Sequence, residues 1–178
     1  VGQVDYYKSI LAEADLEPEI EEHLRELISQ KNYFGVEDLV KEQGLNAQLS
    51  EAFQALPHLF GNYEVLDKAR HLTDNPQAIA AVERLEEIYQ ILKIYGYEKY
   101  ISFDFGMVSK IQYYTGIIFQ AYTYGTGEPI VKGGRYDELL KHFGKPAASI
   151  GFVIMIDGLL TALTRQKITV SQNEAPVV

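Results

Sequence analysis

The sequence predicts an α+β chain in which helices come first and strands follow. Three observations carry that prediction. Helix start and stop signals recur from residue 5 to residue 96. Residues 100–105 then alternate apolar and polar. Beyond them, two strand-like runs flank the turn signal Gly125-Thr126-Gly127. Helices and strands that are segregated along the chain, and do not alternate as βαβ units, point to an α+β architecture.

Each element has a local reason. Residues 5–13 read as a helix, and Pro18 opens a second that runs to residue 29. Proline suits the first helical turn, where its missing N–H is not needed. Glu19, Glu21 and Glu22 favour the positive end of the helix dipole there. Gly35 precedes a short helix over 36–43 that Gly44 closes. Asn46 is a cap for a helix over 47–55. Pro57 and Gly61 mark a break before a helix over 63–71, where His71 makes a favourable dipole contact. Thr73-Asp74-Asn75-Pro76 is a helix-start signal. Ala81, Leu85, Ile88, Leu92 and Tyr95 then repeat at steps of four and three, which gives the following helix an apolar face, and Gly96 ends it.

In residues 100–105, Ile101, Phe103 and Phe105 point one way and Ser102 and Asp104 the other, as in a half-buried strand. Residues 117–124 (Ile-Ile-Phe-Gln-Ala-Tyr-Thr-Tyr) and 128–132 form the arms of a hairpin. Gly133-Gly134 follows as a strand-to-helix connection, and Arg135 opens a helix with Leu139, Leu140 and Phe143 inward. A double glycine lets backbone approach a ligand, and the free amides of a helix start favour an anion. Residues 171–178 read as a frayed tail.

Two clusters stand out as chemistry. Tyr113-Tyr114-Thr115-Gly116 and Gly133-Gly134-Arg135-Tyr136-Asp137 lie about one hairpin apart. Tyr114 and Tyr136 offer ring faces and hydroxyls to a small polar heterocycle. The blander alternative is a turn with core tyrosines.

The stretch from Phe103 to Leu160 resembles the core of class II histidyl-tRNA synthetases. The two clusters match that family's histidine-site segments. Gly151-Phe152-Val153-Ile154-Met155-Ile156-Asp157-Gly158-Leu159 falls where its motif 3 belongs, and Val1-Gly2-Gln3-Val4 is similar to the segment after motif 2. The resemblance implies an antiparallel class II sheet core over 97–164, a helical region over 16–96, and a single domain fragment over 1–170 that lacks motifs 1 and 2. It also implies a histidine site of Tyr113, Tyr114, Thr115, Gly133, Gly134, Arg135 and Tyr136, supported by Asp104 and Gly151.

The departures are as informative. The family places an arginine four residues before its first tyrosine and an aspartate immediately before it; this chain has Ser109 and Gln112. The family's motif 3 arginine is Gly158 here, after Asp157 in place of glutamate. Adenylate formation moves negative charge and needs fixed cationic donors; losing one typically costs about a hundredfold or more. The pattern is similar to the regulatory subunits of ATP phosphoribosyltransferase, paralogues of the synthetases in histidine biosynthesis. That resemblance implies a non-catalytic cytoplasmic protein without cofactors. It would act with a short-form catalytic subunit, take histidine as effector, and form a homodimer within a hetero-oligomer. A divergent synthetase is the competing expectation.

Composition adds exclusions. A formal charge of −9 and no lysine-arginine stripe give no signal for tRNA binding. The absence of cysteine excludes disulfides and thiolate metal sites. His23, His58, His71 and His142 are scattered, without the spacing of a metal site. The chain carries no signal-peptide pattern and no apolar run of about 18 residues.

Overall fold

In a computed structural model of the chain, the structure describes residues 1–108 and 114–169. Strand β1 (Gly2–Gln3) leads directly into α1 (Val4–Ala14). Helices α2 (Pro18–Ser29), α3 (Tyr33–Glu42) and α4 (Ala47–Ala55) follow. The short strand β2 (Phe60–Gly61) precedes α5 (Glu64–His71) and the long α6 (Pro76–Ile94). Strands β3 (Phe103–Asp104), β4 (Ile117–Ala121), β5 (Val131–Arg135) and β6 (Ile150–Ile154) come next, and α7 (Ile156–Arg165) closes the described chain.

The helix signals act as read. The Asn46 side chain accepts from the Leu49 amide, and that of Asn75 accepts from the amides of Gln77 and Ala78. Each satisfies donors that the first turn of a helix leaves without an internal partner. Gly44 takes a left-handed conformation at φ +62° after α3. His71 Nδ1 lies 2.6 Å from the carbonyl oxygen of Asp67, one turn back. One reading shifts: Gly35 lies inside α3, because Asn32 caps that helix by accepting from the Gly35 amide.

The helices enclose one core. Tyr6 and Ile10 from α1, Leu24 and Ile28 from α2, Val36 and Val40 from α3, Phe53 from α4, Leu66 from α5, and Val82 and Leu85 from α6 are all essentially inaccessible. Phe103 joins them from β3. Burying side chains of this size contributes about 1.5–3 kcal/mol each. The apolar face of α6 fades along its length: Ala81 and Leu85 are buried, whereas Tyr95 is exposed.

Sheet order is β1-β4-β5-β6, antiparallel throughout, and β2 pairs with β3 in a second, two-stranded sheet. This is the expected α+β fold with an antiparallel core. Three sequence readings are corrected. The strand of residues 100–105 shrinks to Phe103–Asp104, because residues 98–100 form a turn of 3₁₀ helix. The second hairpin arm is displaced to Val131–Arg135, so Gly133 and Gly134 lie within a strand. Arg135 ends that strand and opens no helix; the 3₁₀ turn beyond, Leu139–Phe143, leaves Phe143 exposed. The anion-binding helix start expected at Arg135 therefore does not form. Residues 171–178 lie outside the described residues.

Candidate functional site

The displaced strand explains the double glycine. Gly133 pairs with Phe119 of β4 and Phe152 of β6, and Gly134 with Ile118 and Gly151. A Cβ on Gly134 would lie 2.6 Å from Cε1 of Tyr114. One on Gly151 would lie 2.5 Å from the Tyr136 hydroxyl oxygen. At such distances an added side chain would force the ring or the strand to shift. Gly134 and Gly151 are register partners and so share a face of the sheet. Two tyrosine rings from different loops thus close over two adjacent glycines.

Backbone contacts fix the two clusters against each other. The Thr115 amide donates to the carbonyl of Arg135 at 2.9 Å, and the Thr115 hydroxyl accepts from the Asp137 amide at 2.8 Å. The Tyr136 amide donates to Ser149 at 2.8 Å. From the helical side, Lys8 Nζ donates to the Tyr114 carbonyl at 3.1 Å, and the Val4 amide donates to Gly116 at 2.9 Å. The first helix and the end of β5 with the loop after it therefore hold Tyr114-Thr115-Gly116 between them.

The cation within the second cluster is engaged. Arg135 Nε donates to both carboxylate oxygens of Asp137 at 2.9 Å. That bond, with the attraction of the same carboxylate, holds the guanidinium above its ordinary pKa. Gly158 sits in the first turn of α7, where an added Cβ would meet Ile130 at an ordinary 3.6 Å. The position has room for a side chain and carries none.

Of the residues expected at the site, the structure brings together Tyr114, Thr115, Gly133, Gly134, Arg135, Tyr136 and Gly151. Tyr113, Ser109 and Gln112 lie outside the described residues. Asp104 is bonded to Lys31 and to the Gly106 amide at 2.7 and 2.9 Å, and it lines a cavity together with Arg135. Lys31 gave no signal in the sequence, since its partner is 73 residues away.

A cavity of about 1010 Å³ lies elsewhere than the space between Tyr114 and Tyr136. Val1, Ile117, Phe119, Arg135 and Ile150 line it, with Ile88 and Leu92 of α6 opposite. Alternation along the strands sets Ile117, Phe119, Arg135 and Ile150 on the face opposite Gly134 and Gly151. β1 pairs only with Ile117 and Ile118, and Gln120 and Ala121, beyond that pairing, also line the cavity. Among the described residues, no group of three or more His, Asp or Glu side chains is placed to hold a metal. No described helix is long and apolar enough to cross a membrane.

A family model described as histidyl-tRNA synthetase matches residues 1–159. This chain belongs to the histidyl-tRNA synthetase family. Within it, the chain is 41% identical over 168 residues to a protein of Acetivibrio thermocellus named ATP phosphoribosyltransferase regulatory subunit, covering 94% of this chain and 40% of that protein. A solved structure from Bacillus halodurans, described as an ATP phosphoribosyltransferase regulatory subunit/histidyl-tRNA synthetase, superposes with a TM-score of 0.83 at 33% identity. That superposition covers 91% of this chain and 43% of the other. Histidyl-tRNA synthetase from Nostoc shares the fold at 20% identity, with a TM-score of 0.76 over 94% of this chain and 42% of that one. The chain spans about two fifths of the length of the curated relatives it matches. The class II fold and the kinship to regulatory subunits, both expected from the sequence, are borne out.

Proposed function

We propose that this chain is the sheet-and-helix part of a regulatory subunit of ATP phosphoribosyltransferase, and that it recognises histidine without activating it. The observation that carries the proposal is the pair of tyrosine rings, Tyr114 over Gly134 and Tyr136 over Gly151, on one sheet face. In this reading the two rings contact the imidazole. Thr115, Gly134 and Gly151 shape the floor; Gly133, next to Gly134 in β5, turns to the opposite face, and Tyr113 belongs to the site by its motif alone. Arg135, engaged with Asp137, keeps the second cluster in place and does not act on the ligand.

The missing charges support recognition over catalysis. Activating a carboxylate with ATP develops charge that fixed cations must meet. Gly158 supplies none from α7, and Ser109 replaces the arginine expected from the family. The protein therefore has no aminoacylation activity and no use for tRNA, in keeping with its charge of −9. It works in the cytoplasm, as a homodimer within a hetero-oligomer, on a short-form catalytic subunit that depends on it for activity. The names of its relatives support that partner. Feedback then requires histidine to bind the active and inhibited assemblies with different affinity.

Two assays on the full-length protein separate this reading from a synthetase. Histidine-dependent ATP–pyrophosphate exchange should be absent, and addition of the protein to short-form catalytic subunit should raise phosphoribosyl transfer and make it sensitive to histidine. Robust exchange would overturn the proposal.

A further inference from the structure

We infer that Lys132 takes the carboxylate of a free amino acid whose ring lies between Tyr114 and Tyr136, so that the site prefers a ligand with that carboxylate over one without it. The inference deepens the histidine-site reading above and rests on it.

Successive residues of a strand turn to opposite faces, so Lys132 shares the face of Gly134, two positions before it on β5. Two steps of about 3.3 Å set their Cα atoms about 7 Å apart. The register partners of Lys132 are Gln120 on β4 and Val153 on β6, neither of which carries a charge. The opposite end of this face is closed. β5 ends at Arg135, and the Tyr136 ring then covers Gly151. To the side, Ile118 beside Gly134 is buried. A ring seated over Gly134 and Gly151 therefore has its open side toward Lys132 and Val153, which are both exposed.

Lys132 also lines a groove of about 500 Å³, with Glu128 and with Asp157 and Gly158 from the first turn of α7. Gly158 contributes no side chain to it, and an added Cβ would meet nothing closer than 3.6 Å. The other cation of the groove, Arg165, donates to the Gly125 carbonyl, and Gln166 beside it donates to the Tyr124 carbonyl at 2.6 Å. Among the described residues, no hydrogen-bond or ion-pair partner engages the Lys132 ammonium, although Glu128 and Asp157 border the same groove. One available cation and two carboxylates match the two charges of an amino acid: Lys132 meets its carboxylate, and Glu128 and Asp157 favour its ammonium. A charge-assisted hydrogen bond of this kind is stronger than a neutral one. A site built to bond a ligand group also discriminates against the analogue that lacks it.

The test titrates histidine and histamine, which keeps the ring and the amine and lacks the carboxylate, into the full-length protein and two variants, beside ligand-free thermal unfolding. The unaltered protein should bind histidine about tenfold or more tighter than histamine, the low end for a charged hydrogen bond because the ammonium starts exposed. Lys132→Met should cost histidine the same factor, spare histamine, and leave the unfolding midpoint in place. Lys132→Glu should weaken histidine further, since it sets a like charge against the carboxylate. Equal affinity of the unaltered protein for the two ligands overturns the role of Lys132 while leaving the tyrosine site standing. So does unchanged histidine affinity in Lys132→Met, or a parallel loss of both ligands. An unaltered protein that binds neither ligand overturns both readings.

Discussion

The helical half and the sheet half of this chain are finished to different degrees. In the helical half, side chains from α1 to α6 close on one another and leave little apolar surface at the centre. In the sheet, the outermost strand β6 carries Ile150, Phe152, Val153 and Ile154 with between 43% and 67% of their surface exposed. The helices share one core, which Phe103, Phe105 and Val108 complete. The sheet is a platform whose ordered centre holds the site while its margin stays open. Stability and function should therefore separate along the same line.

The largest effect expected is in the helical core. Phe53→Ala should cost about 3–5 kcal/mol in urea unfolding, whereas Phe152→Ala on β6 should change the stability of the 178-residue chain by about 0.5 kcal/mol or less. Equal losses would break the distinction between the two halves. Next comes the site floor. Gly134→Val places a branched side chain where the Tyr114 ring lies and should cost about 1–3 kcal/mol by overpacking. It should also abolish any thermal shift from histidine, which Phe152→Ala should spare.

Smaller effects sharpen the picture. Asn75→Ala removes the cap of α6 and should cost about 1 kcal/mol by chemical denaturation. The helical core also sets a pH limit. Burial pushes the Tyr6 phenol well above its ordinary value near 10, and its hydroxyl donates to Ala69 at 2.8 Å. The unfolded chain releases that proton at lower pH than the folded one. Stability from this group is thus complete below about pH 10 and falls as pH rises beyond it. Tyr6→Phe should flatten the alkaline decline seen in the unfolding midpoint. Least of all, Gly158→Arg should shift stability by about 1 kcal/mol or less, since the helix has space there. It should not bring back ATP–pyrophosphate exchange while Ser109 remains.

The two halves also differed in how far the sequence revealed them. Helix limits were legible where the signal is local. Asn46, Asn75 and Pro18 act within one turn of where they stand, and their helices begin there. The double glycine misled because its reason is tertiary. Glycines in succession ordinarily break a strand, yet Gly133 and Gly134 belong to one because rings from Phe119 and Tyr114 occupy the space of their missing side chains. The clusters themselves were visible as motifs, but that they meet through Thr115 and Arg135 depends on strand register. Lys31 was invisible for the same reason: nothing near it in sequence explains its ion pair with Asp104.

The most direct test of the site is titration of histidine into the full-length protein, beside its Tyr136→Ala variant. Saturable heat in the unaltered protein, lost in Tyr136→Ala through removal of about 1–3 kcal/mol of buried polar contact, is the predicted result. Absence of histidine heat in the unaltered protein, or equal heat in the variant, would contradict a histidine site between Tyr114 and Tyr136.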